Sequence, residues 1–132
     1  MGAPDAGASP RQAVDGFFAG RPLAGDIFAA LAAGLAGLDG AATRVQKSQI
    51  GFVRTHPFAA AWAPARYLGR PGAPLVLSVF LRRRDASPRW KQVVEARPGR
   101  FTHHLELYAP ADVDAQVRAW LREAWQEAGG GT

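Results

Sequence analysis

The chain has 132 residues, no cysteine and 48% hydrophobic residues. That suits one domain, which at this length buries roughly two-thirds of its unfolded surface without metal or disulfide staples, and zero Cys excludes a disulfide framework, a thiolate zinc site and a cysteine nucleophile. The formal charge is +5, with 14 Arg against 2 Lys; Ala, Gly, Arg and Pro make up half the chain, a GC-rich codon signature, so the placement of the charge says more than its total.

Residues 1–9 carry no apolar pattern and read as a disordered leader, without the basic region and apolar core of a secretory signal. Ser9 and Pro10 form an N-cap and first helical position, opening a short helix with Val14, Phe17 and Phe18 that Gly20 ends. A second helix is expected from Pro22 to Leu38, on the stripe Leu23, Ile27, Phe28, Leu31, Leu35 and Leu38. Its apolar run from Ile27 to Leu38 falls well short of the about twenty residues a membrane span needs. A cytoplasmic protein with no membrane partner is the expectation.

The period then changes. Val45, Ile50, Phe52 and Val53 sit among polar residues and lose phase around 47–49, which predicts two short strands with a bend between them. Phe58 to Tyr67 is ambiguous between helix and irregular structure, limited by Pro57 and Pro64. The Gly- and Pro-rich run at 69–74 reads as a loop, and Leu75 to Leu81, apolar on both faces, as a central strand. Residues 90–96 and 100–108 form the next strand pair, joined by a Pro98-Gly99 turn. Asp112 is the expected N-cap of a last helix, with Asp114 in its first turn and Val113, Val117, Trp120, Leu121, Ala124 and Ala128 as its stripe. The predicted fold is α+β: N-terminal helices, an antiparallel meander of about five strands, and a C-terminal helix packed on one face. One domain spans 10–128, and 129–132 reads as a flexible tail.

The succession FFAGRPL (17–23), VQKSQIGF (45–52), FAAAW (58–62), the apolar strand, RFTHHLEL (100–107) and DVDAQVRAWLREAW (112–125) resembles the family called domain of unknown function 5655. The resemblance runs from about Val14 to Ala128 and implies a small α+β domain. It implies no activity and no catalytic residues.

The candidate residues come from the chain itself. His103 and His104 are adjacent on a strand and point to opposite faces, so they cannot share one ion, and neither a metal nor a cofactor is expected. His103 aligns with Phe101, Leu105 and Leu107 and reads as a core histidine bonded to a backbone carbonyl. His104 aligns with Thr102 and Glu106, and a His two residues from a Glu has the makings of an acid/base pair, with Lys47 a weak third candidate beside Ser48. A solvated polar face explains the same residues more simply.

The basic segment is the stronger signal. Arg82, Arg83, Arg84, Arg89, Lys91, Arg97 and Arg100 face only Asp85 and Glu95, so this stretch carries the whole excess charge. In a hairpin they would gather near Trp90, and Arg beside an exposed aromatic suits phosphate pairing and stacking; a charged hairpin tip that keeps the sheet edge solvated is the plainer account. Trp62 and Trp90 are placed as candidates to line a cleft, Trp120 in the core and Trp125 at its margin. The leading expectation is a non-catalytic binding module for an anionic ligand, either single-stranded nucleic acid or a small phosphate or carboxylate compound, through Arg82, Arg83, Arg84, Arg89, Trp90, Lys91 and Arg100. The alternatives are a small enzyme using His104 and Glu106, and a homodimeric adaptor pairing through an edge strand.

Overall fold

The computed structural model describes residues 9–64 and 72–129. The leader at 1–8, residues 65–71 of the expected irregular segment and loop, and the tail after Gly129 lie outside the described residues. The first helix, α1 (Pro10–Phe17), starts with a reciprocal capping box: Ser9 Oγ accepts from Gln12 N at 3.1 Å, and Gln12 Oε1 accepts from Ser9 N at 2.9 Å. The second, α2 (Pro22–Leu35), stops a turn earlier than its apolar stripe suggested, with Leu38 N turning back onto Leu35 O.

Among the described residues six antiparallel strands follow, one more than expected: β1 (Ala42–Val45), β2 (Ile50–Val53), β3 (Pro57–Trp62), β4 (Leu75–Leu81), β5 (Gln92–Arg97) and β6 (Arg100–Leu107). The additional strand is β3, the segment that the sequence left ambiguous. Its alanines favour helix intrinsically. Two prolines leave it too short for a capped helix, however, while β2 and β4 on either side satisfy its backbone groups. A 3₁₀ turn (Pro110–Asp112) then leads into α3 (Ala115–Glu127). Its N-cap is Asp114 rather than Asp112: Asp114 Oδ1 accepts from Val117 N at 3.1 Å, while Asp112 Oδ2 accepts from the N–H groups of Tyr108 and Ala109 in the preceding turn.

The strand order is β1-β2-β3-β4-β6-β5, which corrects the expected meander. The tight turn at Gly99 (φ 72°) pairs β5 with β6, and β6, apolar on its helix-facing side, takes the place beside β4. The more polar β5 is left at the edge, as solubility favours. The connection from Arg82 to Lys91 must therefore pass over β6 on the helix side.

Helices α1, α2 and α3 contribute to one core on one sheet face. Ile27, Phe28 and Leu31 of α2 and Val117, Trp120 and Leu121 of α3 join Ile50, Phe52, Leu75, Leu77, Val79, Leu105 and Leu107. The other face carries no helix among the described residues. No described helix is long and apolar enough to cross a membrane.

Candidate functional site: a trough across the open sheet face

Strand register determines which side chains share the face that carries no described helix. One row runs straight across the sheet: Arg44 opposite Gly51, Gly51 opposite Ala60, Ala60 opposite Ser78, Ser78 opposite His104, and His104 opposite Gln92. Four of these residues are Gly, Ala, Ser and His, so the row is low in its middle. The row on one side holds Trp62, Val76 and Glu106, and the row on the other holds Phe80, Thr102 and Val94. Small residues between taller ones make a trough of ≈ 450 Å³, lined by Ser48, Gln49, Ala60, Trp62, Ser78, Phe80, Thr102 and His104. That volume lies within the usual range of small-molecule sites.

In its floor Ser78 Oγ and His104 Nδ1 are 2.8 Å apart. Burial, and then the neighbouring His103, hold the His104 pKa below its ordinary value, so the ring is neutral near pH 7. Glu106 is on the same face but is engaged elsewhere: Oε2 accepts from Lys91 Nζ at 2.9 Å and Oε1 from Tyr108 Oη at 3.1 Å. The Lys91 hydrogen bond holds the Glu106 carboxyl below the usual range. The partner of His104 is thus Ser78, a residue that sequence reasoning did not single out. Lys47 lies in the β1–β2 turn, next to the trough-lining Ser48.

His103 faces the other way, fully buried. Its Nδ1 lies 3.3 Å from Val79 O, and its Nε2 accepts from Asp85 N at 2.9 Å, so both ring nitrogens are used. The Trp90 ring lies against it at 4.9 Å between centroids and against Trp120 at 4.1 Å, and Trp90 Nε1 donates to Asp85 Oδ2 at 2.8 Å. Trp90 is 8% exposed. It is therefore a core residue and not the exposed aromatic, or the cleft wall, that the sequence suggested. The cause is the crossing loop, which carries it over β6 and under α3.

The same crossing disperses the basic segment. Arg82 donates through its guanidinium to Glu127 O at 2.9 Å, and Arg83 grips Glu123 with two N–H groups at 2.7 and 2.8 Å and Asp85 with a third at 2.8 Å. Those contacts, led by Glu123, push the Arg83 pKa up. Arg84 lies 5.2 Å over the Phe101 ring. At the opposite end of α3, Arg89 meets both Asp114 oxygens at 3.0 Å and Gln116 at 2.8 Å. Arg100 is exposed at the β5–β6 turn, opposite Arg97. The two ends of a 13-residue helix are about 20 Å apart, so these residues do not form one patch, and several are already matched with carboxylates. Of the tryptophans, Trp62 borders the trough, Trp120 is buried, and Trp125 is half-buried with its Nε1 donating to Asp39 O at 2.8 Å.

The model of the family described as Domain of unknown function (DUF5655) matches residues 14–128. No curated protein and no solved structure matches the chain.

Proposed function

The chain belongs to that family, whose description brings no chemistry with it, and on this premise we propose that the protein is a cytoplasmic, non-catalytic binding module that takes a small anionic ligand in the trough of its open sheet face. The observation that carries the reading is the cross-strand row of small residues, with a hydrogen-bonded Ser78–His104 pair in its floor and aromatic residues on both sides. A sheet face that only needed solvating would carry long charged side chains at these central positions. Here Gly51, Ala60 and Ser78 leave room instead. The exposed Arg44 at the β1 end of the same row favours an anion.

The Ser78–His104 distance favours a second reading, a Ser/His hydrolase. Against it, both residues sit in the middle of paired strands, where the ladder already uses the backbone N–H groups that would stabilise an oxyanion.

The test fills the trough. Ala60→Phe is expected to keep the circular dichroism spectrum of the parent while abolishing the thermal stabilisation that a panel of phosphate and carboxylate compounds gives the parent; a ligand at a hundred times its Kd adds about 2.7 kcal/mol. The triple variant Arg82→Ala, Arg83→Ala, Arg84→Ala is expected to retain binding. Binding that survives Ala60→Phe and disappears in the triple variant would move the site to the basic segment. Turnover of an activated ester that is lost in Ser78→Ala would establish the hydrolase.

A further inference from the structure

The chemistry of the trough narrows its ligand, on the premise that the trough is the site. None of the lining residues Ser48, Gln49, Ala60, Trp62, Ser78, Phe80, Thr102 and His104 carries a charged group when the imidazole is neutral. A fully charged phosphate set on this floor would lose its hydration to neutral partners, which is costly. The buried part of the ligand is therefore uncharged, and its charge lies outside the trough.

The floor also carries a polar pair. Ser78 Oγ and His104 Nδ1 are 2.8 Å apart, and the hydroxyl can donate to the ring nitrogen or accept from it according to the tautomer. With Nδ1 accepting, the proton of a neutral imidazole sits on Nε2. In that tautomer, with the Ser78 hydroxyl as donor, His104 offers the trough an N–H donor. Trp62 and Phe80 stand on opposite sides of the floor row, each two residues from it along the strand, an interval of about 13 Å between backbones. Less the two side chains, that width admits one flat ring system. At the β1 end of the same row stands the exposed Arg44, four strands or about 19 Å from His104 between backbones, an interval that the long Arg44 side chain shortens.

We infer that the trough binds a planar heterocycle through a hydrogen-bond acceptor held by His104 Nε2–H, with an anionic group at one end reaching Arg44. This is the chemistry of a base-plus-phosphate unit, supplied either by a free mononucleotide or by one nucleotide of a single strand.

The experiment titrates the full chain by tryptophan fluorescence with uridine 5′-monophosphate, uridine, inorganic phosphate and an oligo-deoxythymidine. The nucleotide is expected to quench saturably, and the quench to vanish in Trp62→Phe. Uridine should bind roughly twofold to fivefold more weakly, the usual scale for one lost charge contact at a protein surface. Arg44→Ala should bring the nucleotide to the level of uridine and leave uridine unchanged. Ser78→Ala should weaken both. The oligonucleotide binding much more tightly than the monomer assigns the strand as the source, and equal affinity assigns the mononucleotide; either agrees with the inferred chemistry. Inorganic phosphate competing as well as the nucleotide, or Arg44→Ala leaving nucleotide affinity intact, overturns the inference while the trough stands. A quench that persists in Ala60→Phe overturns the trough itself.

Discussion

Two residues that join distant segments have consequences out of proportion to their size. Arg54, just after β2, lays its guanidinium 3.9 Å over the Trp125 ring and donates to Trp125 O at 3.1 Å, while His56 N donates to Ala128 O at 3.2 Å. The β2–β3 turn thus caps the C-terminal end of α3, where carbonyls lack intrahelical partners and a cation is favoured. Gly129 is what lets the guanidinium lie there, since a Cβ at that position would overlap it. Arg54→Ala and Gly129→Ala are each expected to destabilise by about 1 kcal/mol in urea denaturation. The two effects should not add. With Arg54 already removed, Gly129→Ala should become neutral or slightly stabilising, because alanine narrows the unfolded ensemble. Additive effects would show that Gly129 serves something other than Arg54.

At the scale of elements, α3 depends on a cap that the sequence placed two residues early. Both Asp112 and Asp114 are plausible caps by type, and only the 3₁₀ turn at Pro110–Asp112 makes the later one the true N-cap. Asp114→Ala is expected to cost about 1 kcal/mol, or up to about 2, because it removes the bond to Val117 N together with the pairing to Arg89. Asp114→Asn should recover most of the cap and none of the ion pair. Loss from Asp112→Ala instead of Asp114→Ala would invalidate this assignment. Helices and the apolar strands were legible because burial imposes a period on the chain: Leu75 to Leu81, the Ser9–Pro10 start and the burial of His103 all follow from local pattern. What the pattern lacks is partner choice. An alanine run looks the same as helix or strand until β2 and β4 flank it, and adjacency suggested that β4 pairs with the strand that follows it. The register-dependent features failed for the same reason. Ser78 meets His104 across two strands 26 residues apart, and no spacing in one sequence announces that pair. Trp90 could not be told from a surface aromatic without knowing that its loop crosses β6.

Over the whole molecule, charge is organised to hold the loop crossing and α3 in place, and this gives acid unfolding two stages. Burial lowers the pKa of His103 and of His104 from the ordinary 6.5. The unfolded chain therefore binds these protons more readily than the folded one, and stability is whole above pH 6.5 and declines as the pH falls through the lowered folded values. The second stage belongs to carboxylates. At Asp85 burial acts upward but is outweighed by the Trp90 indole, Ser87 N–H and Arg83; at Asp114 burial is likewise outweighed by Val117 N–H and Arg89; Glu106 is lowered chiefly by Lys91. Their contribution is present above their unfolded values of 3.8, 3.8 and 4.5 and is lost as the pH drops through the folded ones. Urea unfolding followed between pH 8 and 3 should accordingly show a decline that begins near 6.5 and is joined by the carboxylate-linked one below about 4.5. His103→Leu should be less stable at pH 8, by about 1–3 kcal/mol, because Asp85 N–H loses its acceptor. It should also reduce the first decline while leaving the second, since its side chain no longer has a proton to take up. A first stage that persists undiminished in that variant would trace the near-neutral sensitivity to His104, and so connect stability to the occupancy of the trough.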